Sequence, residues 1–355
     1  MFLPRIISGN SHIELARKVA KNMKTSLIDA EIQYFKNGEI RPIIRESVRG
    51  LDIIIIQSGC GNIVDGKEKS LNDTIMEVII LSKTLKSAGS GIITLVMPNY
   101  PYARQDKKDN PRGCISARYV ADILQNAGVD RIVCMDLHSS QIQGFFQIPC
   151  DNLYAVNLIR DYLWKNVFSK EEDYTQKYVV VAPDEGALKR AKDYSLRFGL
   201  KVVAVSKERD DSKKNEVKSA HLIGDPNLIQ GRTAIIVDDM CDTFGTIQTV
   251  SNILTNAGAK DIIVAVTHGI LSDPAMERLN ATDEVKMMLV SDSIPQEKKA
   301  AQSDKLKVFS IAPLISEVIS RISNNQSVSE IFKMEKVGKS LSESMNSLSS
   351  IDEAI

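Results

Sequence analysis

Seven short apolar runs, rich in isoleucine and valine, decide what this chain can fold into. They are 52–56, 92–97, 131–135, 178–182, 201–205, 233–237 and 261–266. A strand with one wet face alternates apolar and polar residues. A run that is apolar at nearly every position needs cover on both faces, which is the condition of a strand inside a parallel sheet. Helical periodicity lies between the runs, as over 116–127 and over 246–257. In the second stretch Ile247, Val250, Ile253 and Leu254 share a face and Gly258 is a plausible stop. Strand–helix alternation predicts an α/β, doubly wound architecture. A chain of 355 residues suits two domains better than one small core, and the boundary is expected near Asp151–Tyr154.

Composition narrows the class. Lysine plus arginine equal aspartate plus glutamate at 45 each, so the net charge is zero. No global basic field exists for nucleic acid or a membrane surface, and any phosphate binding must come from local loops. Five cysteines, odd in number and without a C-x-x-C pair, argue for a reducing compartment. No apolar run approaches a membrane span, and the N-terminus lacks a signal-peptide core. The expected setting is cytoplasmic.

Chemistry-bearing residues cluster where the apolar runs end, the position at which open parallel sheets bind ligands. The most informative cluster is Asp238-Asp-Met-Cys-Asp-Thr-Phe-Gly-Thr246, which stands between a strand and a helix. A helix start offers unpaired N–H groups and a positive dipole end to a phosphate. Threonine hydroxyls add donors, and the carboxylates can accept from sugar hydroxyls or hold a divalent cation. The pattern predicts a site for a phosphorylated sugar; the alternative is a helix cap with two solvated acids. Lys207 and Arg209, two apart in extended chain, share a face and can grip one polyphosphate, or form a surface basic pair. Arg104 sits in the mixed-charge loop 102–112, where it can fork onto phosphate oxygens.

The acidic Gly/Thr loop resembles the ribose-5-phosphate motif of type I phosphoribosyltransferases. Together with Tyr102-Ala-Arg-Gln-Asp-Lys-Lys108, Asp136-Leu-His-Ser-Ser-Gln-Ile-Gln-Gly-Phe-Phe146 and Lys207-Glu-Arg209 it is similar to the ribose-phosphate pyrophosphokinase family, from about Ser8 to Phe332. The resemblance implies two type I phosphoribosyltransferase-like domains, each a mostly parallel sheet flanked by helices. It implies an ATP-side domain over 1–153, with about 322–335 returning to it, and a ribose-5-phosphate domain over 154–321. It also implies transfer of a diphosphoryl group from ATP to ribose 5-phosphate. Lys207 and Arg209 would be catalytic. Phe35, Asn37, Glu39, Arg104, Gln105 and Asp109 would bind ATP, the first three on a hairpin that reaches a neighbouring subunit's site. Asp238, Asp239, Asp242, Thr243, Gly245 and Thr246 would hold ribose 5-phosphate. His138 and Asp184 would bind Mg2+. Ser47, Arg49, Asn324, Ser327 and Ser329 would form a regulatory site for phosphate or ADP. A hexamer, or a hetero-oligomer with related subunits, would follow.

Several residues depart from the family pattern. Asp184-Glu-Gly-Ala187 stands where relatives carry D-A-G-G, so Glu185 adds charge and Ala187 lacks glycine's access to positive φ. Asp210 and Asp211 follow Arg209, and Phe244 replaces a small residue. Residues 62–71 read as an exposed loop longer than the family's, and 336–355 as a Ser-rich disordered tail. These departures leave two other readings: a catalytically weak regulatory subunit of a synthetase complex, and a phosphoribosyltransferase.

Overall fold

The computed structural model describes residues 4–108, 110–209 and 217–332, with the backbone alone for 207–209 and 217–220. Asp109, Asp210, Asp211 and the segment 336–355 lie outside the described residues. The described chain forms two compact units. Of the described residues, one comprises those within 4–154, 292–295 and 310–332; the other comprises those within 155–291 and 296–309.

The first unit opens with β1 (Arg5–Ser8), α1 (Ile13–Asn22), the pair β2 (Ala30–Tyr34) and β3 (Ile40–Ile44), and β4 (Ile53–Ile56). It continues through β5 (Asn62–Val64), β6 (Lys67–Lys69), α2 (Leu71–Ser87), β7 (Ile93–Val96), α3 (Ser116–Asn126), β8 (Arg131–Met135) and β9 (Cys150–Leu153). Five of these strands form a parallel sheet in the order β1-β4-β7-β8-β9. All four isoleucines of β4 are buried, as an apolar run between two helical layers requires. The capping box of Ser70 and Asp73 starts α2: the Ser70 hydroxyl accepts from the Asp73 N–H and the Asp73 carboxylate from the Ser70 N–H.

The segment expected as a long exposed loop is a hairpin instead. β5 and β6 pair antiparallel, and the turn residues Asp65 (φ 50°) and Gly66 (φ 73°) both take positive φ. An Asp-Gly pair suits a two-residue hairpin turn of that kind.

The second unit contains α4 (Val156–Asn166), α5 (Tyr174–Lys177), β10 (Tyr178–Ala182), α6 (Leu188–Phe198), β11 (Lys201–Arg209), β12 (Val217–Ile223) and β13 (Thr233–Cys241). It ends with α7 (Gly245–Asn256), β14 (Asp261–Gly269), α8 (Ala275–Ala281), β15 (Val285–Ser291), α9 (Glu297–Ala300) and β16 (Leu306–Phe309). Its seven-stranded sheet runs β12-β11-β10-β13-β14-β15-β16 and is parallel except between β11 and β12. That antiparallel pair carries β11 four residues past its apolar run. The backbones of Lys207 and Arg209 therefore lie within a strand rather than after one. The pairing steps from Glu208↔Ser219 to Arg209↔Val217, which leaves one extra residue on β12.

The chain returns to the first unit earlier than residue 322. Asp292 is buried, and its carboxylate accepts from Lys18 Nζ (2.8 Å), Ser310 Oγ (2.7 Å) and the Ile311 N–H (2.7 Å). The whole of α10 (Ala312–Ser323) then packs on α1. The physical reason is α10's apolar face of Leu314, Ile315, Val318 and Ile319, all buried.

Candidate active site

The acidic loop is built by strand register. β13 runs beyond its apolar stretch because β14 pairs with it as far as Cys241↔Gly269. Asp238 and Asp239 are thus held on a strand, and the loop that follows turns directly into α7. Asp239 is buried, and Arg190 of α6 lies 3.6 Å from its carboxylate. Burial pushes the Asp238 carboxyl well above the usual carboxylate range. The neighbouring Asp239 and the nearby Asp184 push the same way, and the Arg190 guanidinium pulls it back. Crowded, poorly solvated carboxylates of this kind attract cations and hydroxyl donors.

At the head of α7 no side chain caps the helix. Thr243 and Thr246 are exposed beside it, and Asp242 is half-buried. Arg278 of α8 donates to the Thr243 carbonyl (2.8 Å), and a Cβ on Gly245 would come within 3.2 Å of the same guanidinium. The arrangement is an uncapped helix start with hydroxyls and a guanidinium near it, which suits an anion. Phe244 does not obstruct this loop. It takes φ 64° and turns its ring into the core, 1 % exposed, in a cluster with Cys241, Ile247 and Met276.

Asp184 is half-buried, and its Oδ1 accepts from the Ala187 N–H at 3.0 Å. Ala187 sits at φ −79°, so no positive φ is demanded where relatives carry glycine. Glu185 is exposed and accepts from Ser206 Oγ at 3.1 Å. Lys207 and Arg209 stand two apart on the β11 backbone.

In the first unit, Arg104 and Gln105 are exposed on the loop after β7. Gln105 accepts from Ser116 Oγ and from the Ala117 N–H, which ties that loop to the start of α3. His138 is exposed after β8, two residues past Asp136, which is buried at φ 36°. Phe35, Asn37 and Glu39 share the tip of the β2–β3 hairpin. Gly38 there takes φ 95°, and the Phe35 N–H donates to the Glu39 carbonyl. Phe35 is 49 % exposed, a large ring held out to solvent at a hairpin tip.

Ser327 and Ser329 lie 2.9 Å apart at their hydroxyls and line a cavity of about 440 Å³ with Arg131 and Asp151. Asn324 donates to the Ser320 carbonyl near by. Ser47 and Arg49 are exposed and are not among the residues lining this cavity. Sequence reasoning missed Arg131, Arg190 and Arg278. Each is brought in by an element distant in sequence from the motif it serves.

Comparison with known proteins bears on the family of the chain. A family model for the N-terminal domain of ribose phosphate pyrophosphokinase matches residues 4–128. A model for the phosphoribosyl synthetase-associated domain matches residues 219–333. A ribose-phosphate pyrophosphokinase of Fusobacterium nucleatum is 41 % identical over 92 % of this chain and 98 % of its own length. Ribose-phosphate pyrophosphokinase A of Dictyostelium discoideum is 39 % identical over 92 % and 97 %. The crystal structure of phosphoribosylpyrophosphate synthetase from Mycobacterium smegmatis superposes with a TM-score of 0.81 at 38 % identity, covering 91 % of this chain and all of that one. An acidic strand end feeding an uncapped helix, in a chain that aligns with these enzymes almost end to end, leads to one conclusion: the chain belongs to the ribose-phosphate pyrophosphokinase family.

Proposed function

We propose that this chain transfers the β,γ-diphosphoryl group of ATP to the 1-hydroxyl of ribose 5-phosphate, giving 5-phosphoribosyl 1-diphosphate and AMP. The observation that carries the reading is the loop 238–246, where crowded carboxylates, Asp239 buried and Asp238 and Asp242 half-buried, adjoin an uncapped helix start within nine residues. The 5-phosphate sits at the head of α7 against Thr243, Gly245 and Thr246. Asp238, Asp239 and Asp242 accept from the ribose hydroxyls. The sugar oxygen attacks the β-phosphorus in line, the bond to the bridging α–β oxygen breaks, and AMP departs. Such a reaction asks for positioning and charge neutralisation. Arg104, Lys207 and Arg209 supply positive charge, while Phe35 stacks on the base and Asn37, Glu39, Gln105 and Asp109 hold the nucleotide.

A divalent cation fits the donors present. Asp184, Asp238 and Asp239 offer hard carboxylate oxygens whose mutual repulsion a dication relieves. His138 and Asp184 are the proposed Mg2+ ligands. Bound Mg2+ withdraws negative charge from phosphate oxygens. Among the described residues no group of three or more His, Cys, Asp or Glu is placed to cage a metal, and Mg2+ characteristically shares its shell with substrate phosphates.

Phosphate or ADP is the proposed effector at Ser327 and Ser329, with Asn324, Ser47 and Arg49. A homo-oligomer, or an assembly with related subunits, is the proposed state. Five free cysteines support a cytoplasmic setting, and among the described residues no helix is long and apolar enough to cross a membrane. Three departures that favoured a weak regulatory subunit are accommodated: Ala187 keeps helical φ, Glu185 is held by Ser206, and Phe244 is in the core.

The test is AMP release by purified protein given ATP, ribose 5-phosphate and Mg2+, with and without inorganic phosphate. AMP should appear one-for-one with the phosphoribosyl product. No AMP under either condition would favour the regulatory or the phosphoribosyltransferase reading.

A further inference from the structure

The hairpin β5–β6 has no part in the chemistry above, yet it touches a segment that does. Lys69, the last residue of β6, sets its ammonium 3.6 Å from the centre of the Tyr34 ring. Tyr34 ends β2 and directly precedes Phe35. At its far end the Tyr34 hydroxyl donates to Glu77 Oε1 at 2.7 Å.

Glu77 lies on α2 and is fully buried. Its Oε1 also accepts from Asn10 Nδ2 (2.8 Å), and its Oε2 from Gln57 Nε2 (2.6 Å) and the Asn10 N–H (3.1 Å). A buried carboxylate with both oxygens doubly satisfied is a fixed point in the unit. Tyr34 is therefore gripped twice, at its hydroxyl by that carboxylate and over its face by a cation. Donation to a carboxylate enriches the ring's electron density and strengthens its pull on an ammonium.

This grip matters because of what β2–β3 lacks. The pair forms its own two-stranded sheet, hydrogen-bonded to neither larger one. Ile32, with Ala30, Ile40 and Ile44, packs its body into the core, but residues 35–39 of the tip are all exposed and have no such cover. Tyr34 pairs with Ile40 as the last rung before the 35–39 tip, so the geometry of the tip depends on how Tyr34 is held. We propose that Lys69, presented by the β5–β6 hairpin, is a positioning residue for the nucleotide: it clamps Tyr34 and so fixes the Phe35–Glu39 tip. The proposal rests on the reading of that tip as part of the ATP site.

The test compares Lys69→Gln and Lys69→Arg with the unsubstituted chain. Lys67→Gln, at an exposed lysine of the same strand, controls for charge alone. Two quantities are read: the Michaelis constants for ATP and for ribose 5-phosphate, and amide hydrogen exchange across residues 33–41. Loss of one cation–π contact predicts roughly fivefold changes. Lys69→Gln should raise KM for ATP by about that factor, leave KM for ribose 5-phosphate unchanged, and speed exchange at the tip to a similar degree. Lys69→Arg should restore both, since a guanidinium also stacks on a ring, and Lys67→Gln should move neither. Unchanged exchange in Lys69→Gln overturns the clamp whether or not the protein is active. Faster exchange with an unchanged KM for ATP overturns its role in nucleotide positioning. An unsubstituted chain that releases no AMP sinks the proposed function instead, and the exchange measurement still decides the clamp.

Discussion

At Phe244 a positive φ and a buried ring coincide. The backbone conformation costs about 1–2 kcal/mol, and burying the ring contributes about 1.5–3 kcal/mol in return. Phe244→Ala removes the ring and leaves a cavity, so stability should fall by about 3–5 kcal/mol. The unfolding midpoint should drop by roughly 6 °C or more, measured by calorimetry. A drop under about 2 °C would mean the ring is not a core residue. Lys207 is different in kind. Lys207→Ala should lower turnover by about two to three powers of ten with little change in midpoint, followed by AMP release. Lys207, Arg209 and the acidic loop stand out in the sequence as candidates because their charges are local and dense. It did not reveal Arg190, Arg131 or Arg278, whose importance comes from side-chain contacts across 35 or more residues or from a cavity. Phe244 stood out in the sequence only as a departure from the family pattern, since spacing locates a residue in a loop but does not say which way its ring turns.

At the level of elements, the apolar runs marked seven of the twelve strands in the two main sheets, β4, β7, β8, β10, β11, β13 and β14, where burial on both faces leaves little room for polar residues. The strands β1, β9, β12, β15 and β16 are shorter or more polar and went unmarked. Strand ends were less legible. β11, β13 and β14 all run past their apolar stretches because pairing with a neighbouring strand continues through the polar residues that follow. The polar hairpin β5–β6 carried no alternation, and only its Asp-Gly turn announced it. Helix α2 offers a direct check of local chemistry. Ser70→Ala removes one half of the capping box and should cost about 1 kcal/mol, or about 2–4 °C in midpoint. Hydrogen bonds from the Ser70 N–H and hydroxyl hold the Asp73 carboxyl below its ordinary 3.8. A depressed acid stabilises the folded state above that pH, and the benefit is lost as pH falls through the lower folded value. The stability gap between the parent and Asp73→Asn should thus be present at pH 7 and close below 3.8. A gap independent of pH would show that the carboxylate's charge plays no part.

For the molecule as a whole, the first unit is assembled from both ends of the described chain. Leu314, Ile315, Val318 and Ile319 of α10 are buried, worth about 6–12 kcal/mol together on transfer arithmetic. Residues 4–154 alone should therefore give a loosened, aggregation-prone protein. The same segment joined by a flexible linker to 310–332 should show cooperative unfolding and protected amides. Equal cooperativity in both would mean α10 is dispensable. The split was partly visible in the sequence, where the family resemblance set a late return. Its true starting point, near Asp292, was hidden because a buried aspartate reads as a surface residue until Lys18 and the start of α10 are seen around it. The split also bears on how the protein is made. About 180 residues separate Tyr154 from Phe332, and a ribosome adding 5–20 per second needs roughly ten to thirty-five seconds to supply them. Throughout that interval the nascent first unit shows α1 without the helix that packs on it, an opening for chaperones.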